Sequence, residues 1–188
     1  MTLNSMQDHV AVVVGGSGAI GSAICRHFAN AGAACVVTYN NGERPAKDLV
    51  ANLPGSGHSA SHIPVDDSAA LNALAAQVQA KHGRLDVLVN CAGITRYVSH
   101  SDLDALDDQL IDDIFRVNWR GPFAAVRAFR NLLAAGGDGL VINISSIAGV
   151  QLEIFVVFRN ASTALHIEKH IAILHPNIEA NIPPATRH

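Results

Sequence analysis

Residues 10–21 read VAVVVGGSGAIG, and the reading of this stretch decides the fold. Val10 to Val14 is a short, mostly β-branched run that stops at glycine, the pattern of a buried strand closed by a turn. After GGSGAIG, the positions Ile20, Ala23, Ile24, His27 and Phe28 recur at helical spacing. Strand, glycine turn and helix therefore follow in that order. Glycine in such a turn permits a sharp bend and lets the backbone approach a pyrophosphate. The helix N-terminus adds unpaired N–H groups and partial positive charge. A glycine pattern alone is weak, because many glycine turns bind nothing; its place after a first strand points to a nucleotide.

Working outward, the unit repeats. Ala34–Thr38 reads as a second strand and Ala46–Leu53 as a helix. Ile63–Val65 reads as the end of a third strand after a Pro/Gly/Ser loop. Ser68 reads as the cap of a helix with Leu71, Leu74, Ala75 and Val78 on one stripe. Leu85–Val89 is a fourth strand, and a helix from about Ala105 carries Leu106, Leu110, Ile114 and Val117. Gly121-Pro122 is expected to interrupt it before an apolar helix resumes through Leu133; Leu140–Ile144 is a fifth strand. Strands alternating with helices predict a parallel sheet covered on both faces, a doubly wound, Rossmann-like α/β fold. No linker or internal repeat divides the chain, so residues 1–188 are expected to form one dinucleotide-binding domain. Residues 151–188 are an atypical segment of it, without clean alternation.

The 188 residues suit one core, and 49% hydrophobic with 15% charged residues is a globular composition. The net charge of −3 and the lack of a basic run argue against a nucleic-acid partner. No apolar stretch has membrane-span length, and MTLNSMQDH lacks signal-peptide character, so no membrane partner and a cytoplasmic location are expected. Cys25, Cys35 and Cys91 lack metal spacing and read as reduced thiols on apolar faces. His166 and His170 are spaced i, i+4 with His175 nearby. HIEKH is not HExxH, however, and no metal site is expected.

Five ordered motifs in the first 150 or so residues resemble those of the short-chain dehydrogenase/reductase family, its 3-oxoacyl-reductase-like members in particular. The family turn TGxxxGxG appears as VGxxxAxG, with Val14 and Ala19 as departures. LDVLVNCAG resembles LDVLVNNAG, with Cys91 replacing an asparagine. VDD places Asp66 where the family contacts the adenine ring, RVNWRGPF carries the family's asparagine at Asn118, and VINISSIAG puts its catalytic serine at Ser146. The resemblance implies a cofactor site at Gly15, Ser17, Gly18, Ile20, Gly21, Tyr39, Asn40, Asp66, Asn90, Ala92 and Gly93. It also implies hydride exchange with a small carbonyl or alcohol substrate, and a homo-oligomer formed through the long helices.

A carboxylate at the end of the second strand would hold the adenosine ribose hydroxyls and favour NAD. Here that end reads Thr38-Tyr39-Asn40-Asn41, with no acid before Glu43 and with Arg44 and Lys47 beyond. NADP is therefore expected over NAD.

In the family a tyrosine moves the proton and a lysine four residues later lowers its pKa, the helix commonly reading YNASKAAL. This chain reads RNASTAL, placing Arg159 at the tyrosine position and Thr163 at the lysine position. Tyr39 and Tyr97 are followed four residues later by Glu43 and Ser101, so no YxxxK exists. Arginine stays protonated and threonine supplies no cation, so the set Asn118, Ser146, Arg159 and Thr163 is expected to be impaired. The end, HPNIEANIPPATRH, resembles an altered sixth strand and following PG motif, and the family's substrate lid and seventh strand are expected to be missing. Three readings stand: an oxidoreductase, a non-catalytic nucleotide-binding or scaffold protein, and a C-terminal region that is not a faithful or complete gene product.

Overall fold

The computed structural model describes residues 6–98, 102 and 104–145. Five parallel strands form one sheet in the order β3-β2-β1-β4-β5. They are β1 (Val10–Val14), β2 (Ala34–Tyr39), β3 (Ser59–His62), β4 (Val87–Asn90) and β5 (Leu140–Asn143). The helices are α1 (Ala19–Asn30), α2 (Glu43–Ala51), α3 (Ser68–His82), α4 (Asp108–Phe115) and α5 (Gly121–Gly136). The expected Rossmann-like architecture is present.

β1 lies between β2 and β4, with Val12 in register with both Val36 and Leu88. It is buried along its whole length, which explains its unbroken apolar run. Val10, Val12 and Val14 face one core with Leu71, Leu74, Val78, Leu88 and Phe129, beneath α3 and α5. Ala11 and Val13 face the other, with Cys25, Ala29, Cys35, Val37 and Leu49, beneath α1 and α2. The strand order reverses beside β1, which puts the switch point at the carboxyl ends of β1 and β4, where doubly wound folds bind ligands.

Several boundaries differ from expectation. α2 begins at Glu43, three residues before Ala46, because Pro45 in a first turn has no N–H to waste; Ala46 N donates to Gly42 O at 3.0 Å. β3 is the polar run Ser59–His62, and Ile63 and Val65 follow it as a buried loop. The cap of α3 is Asp67, whose carboxylate accepts from Ala69 N and Ala70 N at 2.9 and 3.0 Å, so Ser68 is already helical. α4 starts at Asp108, capped by Asp107, rather than near Ala105. β4 starts two residues later than expected.

Gly121-Pro122 does not interrupt its helix. A π-helical turn, Arg116–Arg120, joins α4 to α5 without a gap, and Gly121 N donates to Arg116 O, five residues back. The wider turn absorbs the missing Pro122 donor at the head of α5.

Two buried groups tie this scaffold to the glycine turn. Thr38 is fully buried at the end of β2, and its Oγ1 accepts from Gly15 N at 3.0 Å while its carbonyl accepts from Ser17 N at 3.3 Å. Asp86, 5% exposed, accepts from Val10 N at 2.8 Å and from Arg84 Nε at 3.1 Å, anchoring the other end of β1. Thr38→Val keeps the shape and removes the acceptor, leaving the half-buried Gly15 N without it. Unfolding free energy should fall by ~1–3 kcal/mol in urea denaturation, with Thr38→Ser close to the parent. An unchanged Thr38→Val midpoint would refute the pin.

Burial pushes the Cys25 thiol up to about 12 and the Cys35 thiol up to about 11. Unfolded thiols lose protons near the ordinary value of 9.0, so the unfolded state binds fewer protons above that pH. These groups therefore contribute nothing adverse below pH 9, and stability falls as pH rises through 9 to 11. The slope is up to ~1.4 kcal/mol per pH unit for each thiol. Urea unfolding at pH 9, 10 and 11 should show a shallower loss for the Cys25→Ala/Cys35→Ala variant; equal slopes would contradict this.

Candidate functional site

Gly15 leaves β1 with φ 78°, a left-handed conformation that glycine adopts without strain. Gly16 N donates to Val13 O and Gly18 N to Gly15 O, both at 3.1 Å, which closes the turn. A Cβ at Gly15 would lie 2.7 Å from Ala92 N, and one at Gly21 would lie 2.4 Å from Gly15 O. Only hydrogen at both positions lets the β4 end and the first turn of α1 close on the loop.

At Gly18, Ala19 and Ile20 the loop is exposed. Gly18 is the residue before α1; no side chain caps this helix and its first turn holds no acid. An uncapped, unneutralised N-terminus at the sheet's switch point suits an anion. Ala19, where the family has glycine, opens the helix with its methyl on this exposed side. The hydrogen bond lost with the family's threonine at Val14 is matched by one from the next strand, through Thr38.

Beside the turn runs the segment after β4. Cys91 N donates to Val14 O at 2.9 Å, and burial raises the Cys91 thiol while its bond to Gly21 backbone opposes that rise. Asn90, 4% exposed, donates through Nδ2 to Asn143 Oδ1 at 2.8 Å, tying β4 to β5. Its own Oδ1 is buried without a hydrogen-bond partner among the described residues. Asn118, in the π-helical turn, holds the following loop twice: Oδ1 accepts from Ile94 N and Nδ2 donates to Ile94 O, each at 2.8 Å. A Cβ at Gly93 would approach Asn118 Oδ1 to 3.4 Å, so this loop fits close against the helix.

The β2 end meets the same turn. A Cβ at Gly42 would lie 2.9 Å from Ser17 Oγ, which brings the 40–42 loop against Ser17. Asn40 is exposed there, whereas the Tyr39 ring is buried and tilted against His62, centroids 5.5 Å apart. Tyr39 thus offers backbone rather than its ring. Glu43 pairs with Lys47 at 2.7 Å, both exposed, which holds the carboxylate below its usual range. Asp66 follows β3, and its Oδ2 receives Arg116 Nη1 at 2.8 Å.

The structure therefore gathers Gly15, Ser17, Gly18, Ile20, Gly21, Ala92 and Gly93 at the carboxyl ends of β1 and β4, with Asn40 at the β2 flank and Asn118 behind the 90–94 segment. Ser146, Arg159 and Thr163 lie outside the described residues, as do His166, His170 and His175. Two residues went unread in sequence. Thr38 had a signal, a polar residue closing an apolar strand; Arg116 had none, being one arginine on a helix.

A family model described as short chain dehydrogenase matches residues 9–164. The chain is 34% identical over 152 residues to D-threitol dehydrogenase of Mycolicibacterium smegmatis, covering 79% of this chain and 57% of that one. It is 36% identical over 140 residues to a galactitol 2-dehydrogenase (L-tagatose-forming) of Cereibacter sphaeroides, covering 74% and 53%. Among solved structures, a Serratia marcescens short-chain dehydrogenase/reductase mutant superposes with a TM-score of 0.74 at 27% identity, over 85% of this chain and 66% of that one. A Streptomyces avermitilis short-chain dehydrogenase gives 0.72 at 31%, over 84% and 57%. The chain spans a little over half the length of these two curated relatives. The five motifs, the 3-2-1-4-5 sheet with its glycine turn at the switch point, and a match over residues 9–164 have one common meaning: this chain belongs to the short-chain dehydrogenase family.

Proposed function

We propose that this chain binds a nicotinamide dinucleotide, NADP in preference to NAD, as an oxidoreductase-like protein acting on small carbonyl or alcohol substrates. The uncapped, acid-free N-terminus of α1, packed without side chains against the β4 end, carries this reading. The pyrophosphate would rest on the N–H groups of Ala19 and Ile20, in the first turn of α1. Ala92 and Gly93 would border the adenosine half, and Asp66 its base. The bound cofactor supplies the hydride. Relatives named for threitol and galactitol support alcohol and carbonyl chemistry.

The preference for NADP rests on charge. No carboxylate stands at the end of β2, and the nearest acid, Glu43, is neutralised by Lys47. A 2′-phosphate would meet Asn40, Ser17 and the exposed Arg44 without repulsion.

Arg159 and Thr163, at the tyrosine and lysine positions, support impaired turnover. A positioned acid–base group is worth ~10²–10⁴ in rate, and neither residue releases a proton at neutral pH. The same substitutions favour a second reading, a non-catalytic nucleotide-binding protein.

A homo-oligomer joined through the α4–α5 rod completes the proposal. Trp119, Phe123 and Arg127 follow one another at one-turn spacing. The Trp119 and Phe123 rings stack at 6.4 Å, the Arg127 guanidinium lies 5.9 Å over Phe123, and both rings are exposed. Phe123→Asp should shift the chain to a smaller species in light scattering; an unchanged mass would reject this face.

The reading predicts that calorimetry detects NADPH binding, tighter than NADH. Thermal unfolding should shift upward with saturating NADPH by the usual linkage, ~2.7 kcal/mol at a hundredfold excess over Kd. No heat and no shift with either dinucleotide would end it. NADPH-dependent ketone reduction should be at background in the parent and rise in Arg159→Tyr/Thr163→Lys. Brisk turnover by the parent would overturn the impairment, not the binding.

A further inference from the structure

We propose that Arg116 is a positioning residue for the dinucleotide, acting from the π-helical turn on the β3–α3 loop; the inference rests on the binding reading above. Arg116 divides its guanidinium between two elements. Nη1 lies 2.8 Å from Asp66 Oδ2, fifty residues away in sequence, and Nη2 bonds Asp113 Oδ1 one turn back. Asp113 aims the fork, and the fork holds Asp66.

The same five-residue turn carries Asn118, which grips Ile94 by both its backbone groups. One π-helical turn thus clamps two loops in two directions, the β3–α3 loop through Arg116 and the segment after β4 through Asn118. The rod reinforces the first grip twice more. A Cβ at Gly121 would lie 2.8 Å from Val65 Cγ2, and Arg127 Nη2 reaches Ser68 Oγ at 3.3 Å. Val65, Asp66 and Ser68 are therefore all set by the helix that carries Asn118.

Charge gives the pair its sense. Asp66 and Asp67 stand together at the edge where the adenosine is proposed to lie, and a dinucleotide is polyanionic. Arg116 neutralises the Asp66 carboxylate at one oxygen; among the described residues no group bonds Asp66 Oδ1, which stays open to a donor such as the adenine amino group. Both partners are partly exposed, the side chains at 45% and 24%, so the pair adds little to folding. Its effect falls on loop placement and charge at the ligand.

The test uses the full chain and NADPH. Calorimetric titration of the parent, Arg116→Gln, Arg116→Lys and Asp113→Asn is run beside thermal unfolding without ligand. Arg116→Gln should weaken NADPH binding about tenfold while Tm moves by no more than ~2–4 °C. Arg116→Lys, which keeps the cation, should recover most of the loss, and Asp113→Asn should weaken binding about threefold. Preference for NADPH over its hypoxanthine analogue, which carries an acceptor in place of the adenine amino group, should shrink in Arg116→Gln as in Asp66→Asn; a mere fold prop would leave it unmoved. Asp66→Asn added to Arg116→Gln should cost nothing further, since the unpaired carboxylate is gone. Parent-like binding by Arg116→Gln sinks this inference and leaves the binding reading standing. If Arg116→Gln does not fold, parent-like binding by Asp113→Asn sinks it instead. A parent that binds neither dinucleotide sinks both.

Discussion

The end of β1 can meet the end of β4 only where no side chain stands between them, and Gly15 provides that space. Ala92 backbone occupies the volume a Cβ would need, and φ 78° adds a conformation that other residues resist. Gly21 repeats the constraint in the first turn of α1, against the Gly15 carbonyl. Together these contacts seat α1 directly on the turn and aim its N-terminus at the switch point of the sheet. The same absence of side chains closes the core and bares the helix N–H groups. Packing and binding capacity therefore share a cause, and neither can be altered there alone.

Much of this was legible because it is local. β1, the start of α1, and the stripe of Leu71, Leu74, Ala75 and Val78 follow periodicities that a short window contains. β3 failed that test. Its residues, Ser59 to His62, carry no hydrophobic signal because the strand pairs with β2 alone at the sheet edge, while Ile63 and Val65 are apolar because they join the core beneath α3 and α5. Burial and strand character parted company there. Gly121-Pro122 misled for a related reason. Proline breaks an α-helical ladder, but a preceding π turn had already displaced the bond that proline would remove.

Within the site, the glycine loop, the 90–93 segment and Asn118 were readable as motifs, and the described part of the structure brings them together at the strand ends. Thr38 and Arg116 were not. Each acts on a partner far away in sequence, Gly15 for Thr38 and Asp66 for Arg116, at separations of 23 and 50 residues. No local pattern encodes such a pair, since threonine ends many strands and arginine sits on many exposed helix faces. Val14 illustrates the converse: it stands where the family's motif has a threonine, and the neighbouring strand supplies a hydroxyl to Gly15 N.

Binding and proton transfer have unequal tolerance to substitution. On the proposed reading, recognition is spread over backbone N–H groups, two loops and a helix end, all within residues 15–121. Losing one contact there costs about a hydrogen bond. On the same reading, proton delivery instead rests on one phenol and one ammonium a turn apart, at the positions assigned to Arg159 and Thr163. An arginine at the phenol's place adds a fixed positive charge. That charge would polarise a carbonyl oxygen and ease arrival of the hydride. It would not release a proton at neutral pH, because the guanidinium stays protonated throughout. The alkoxide would then wait for water. On that reading, such a chain keeps its ligand while losing its reaction.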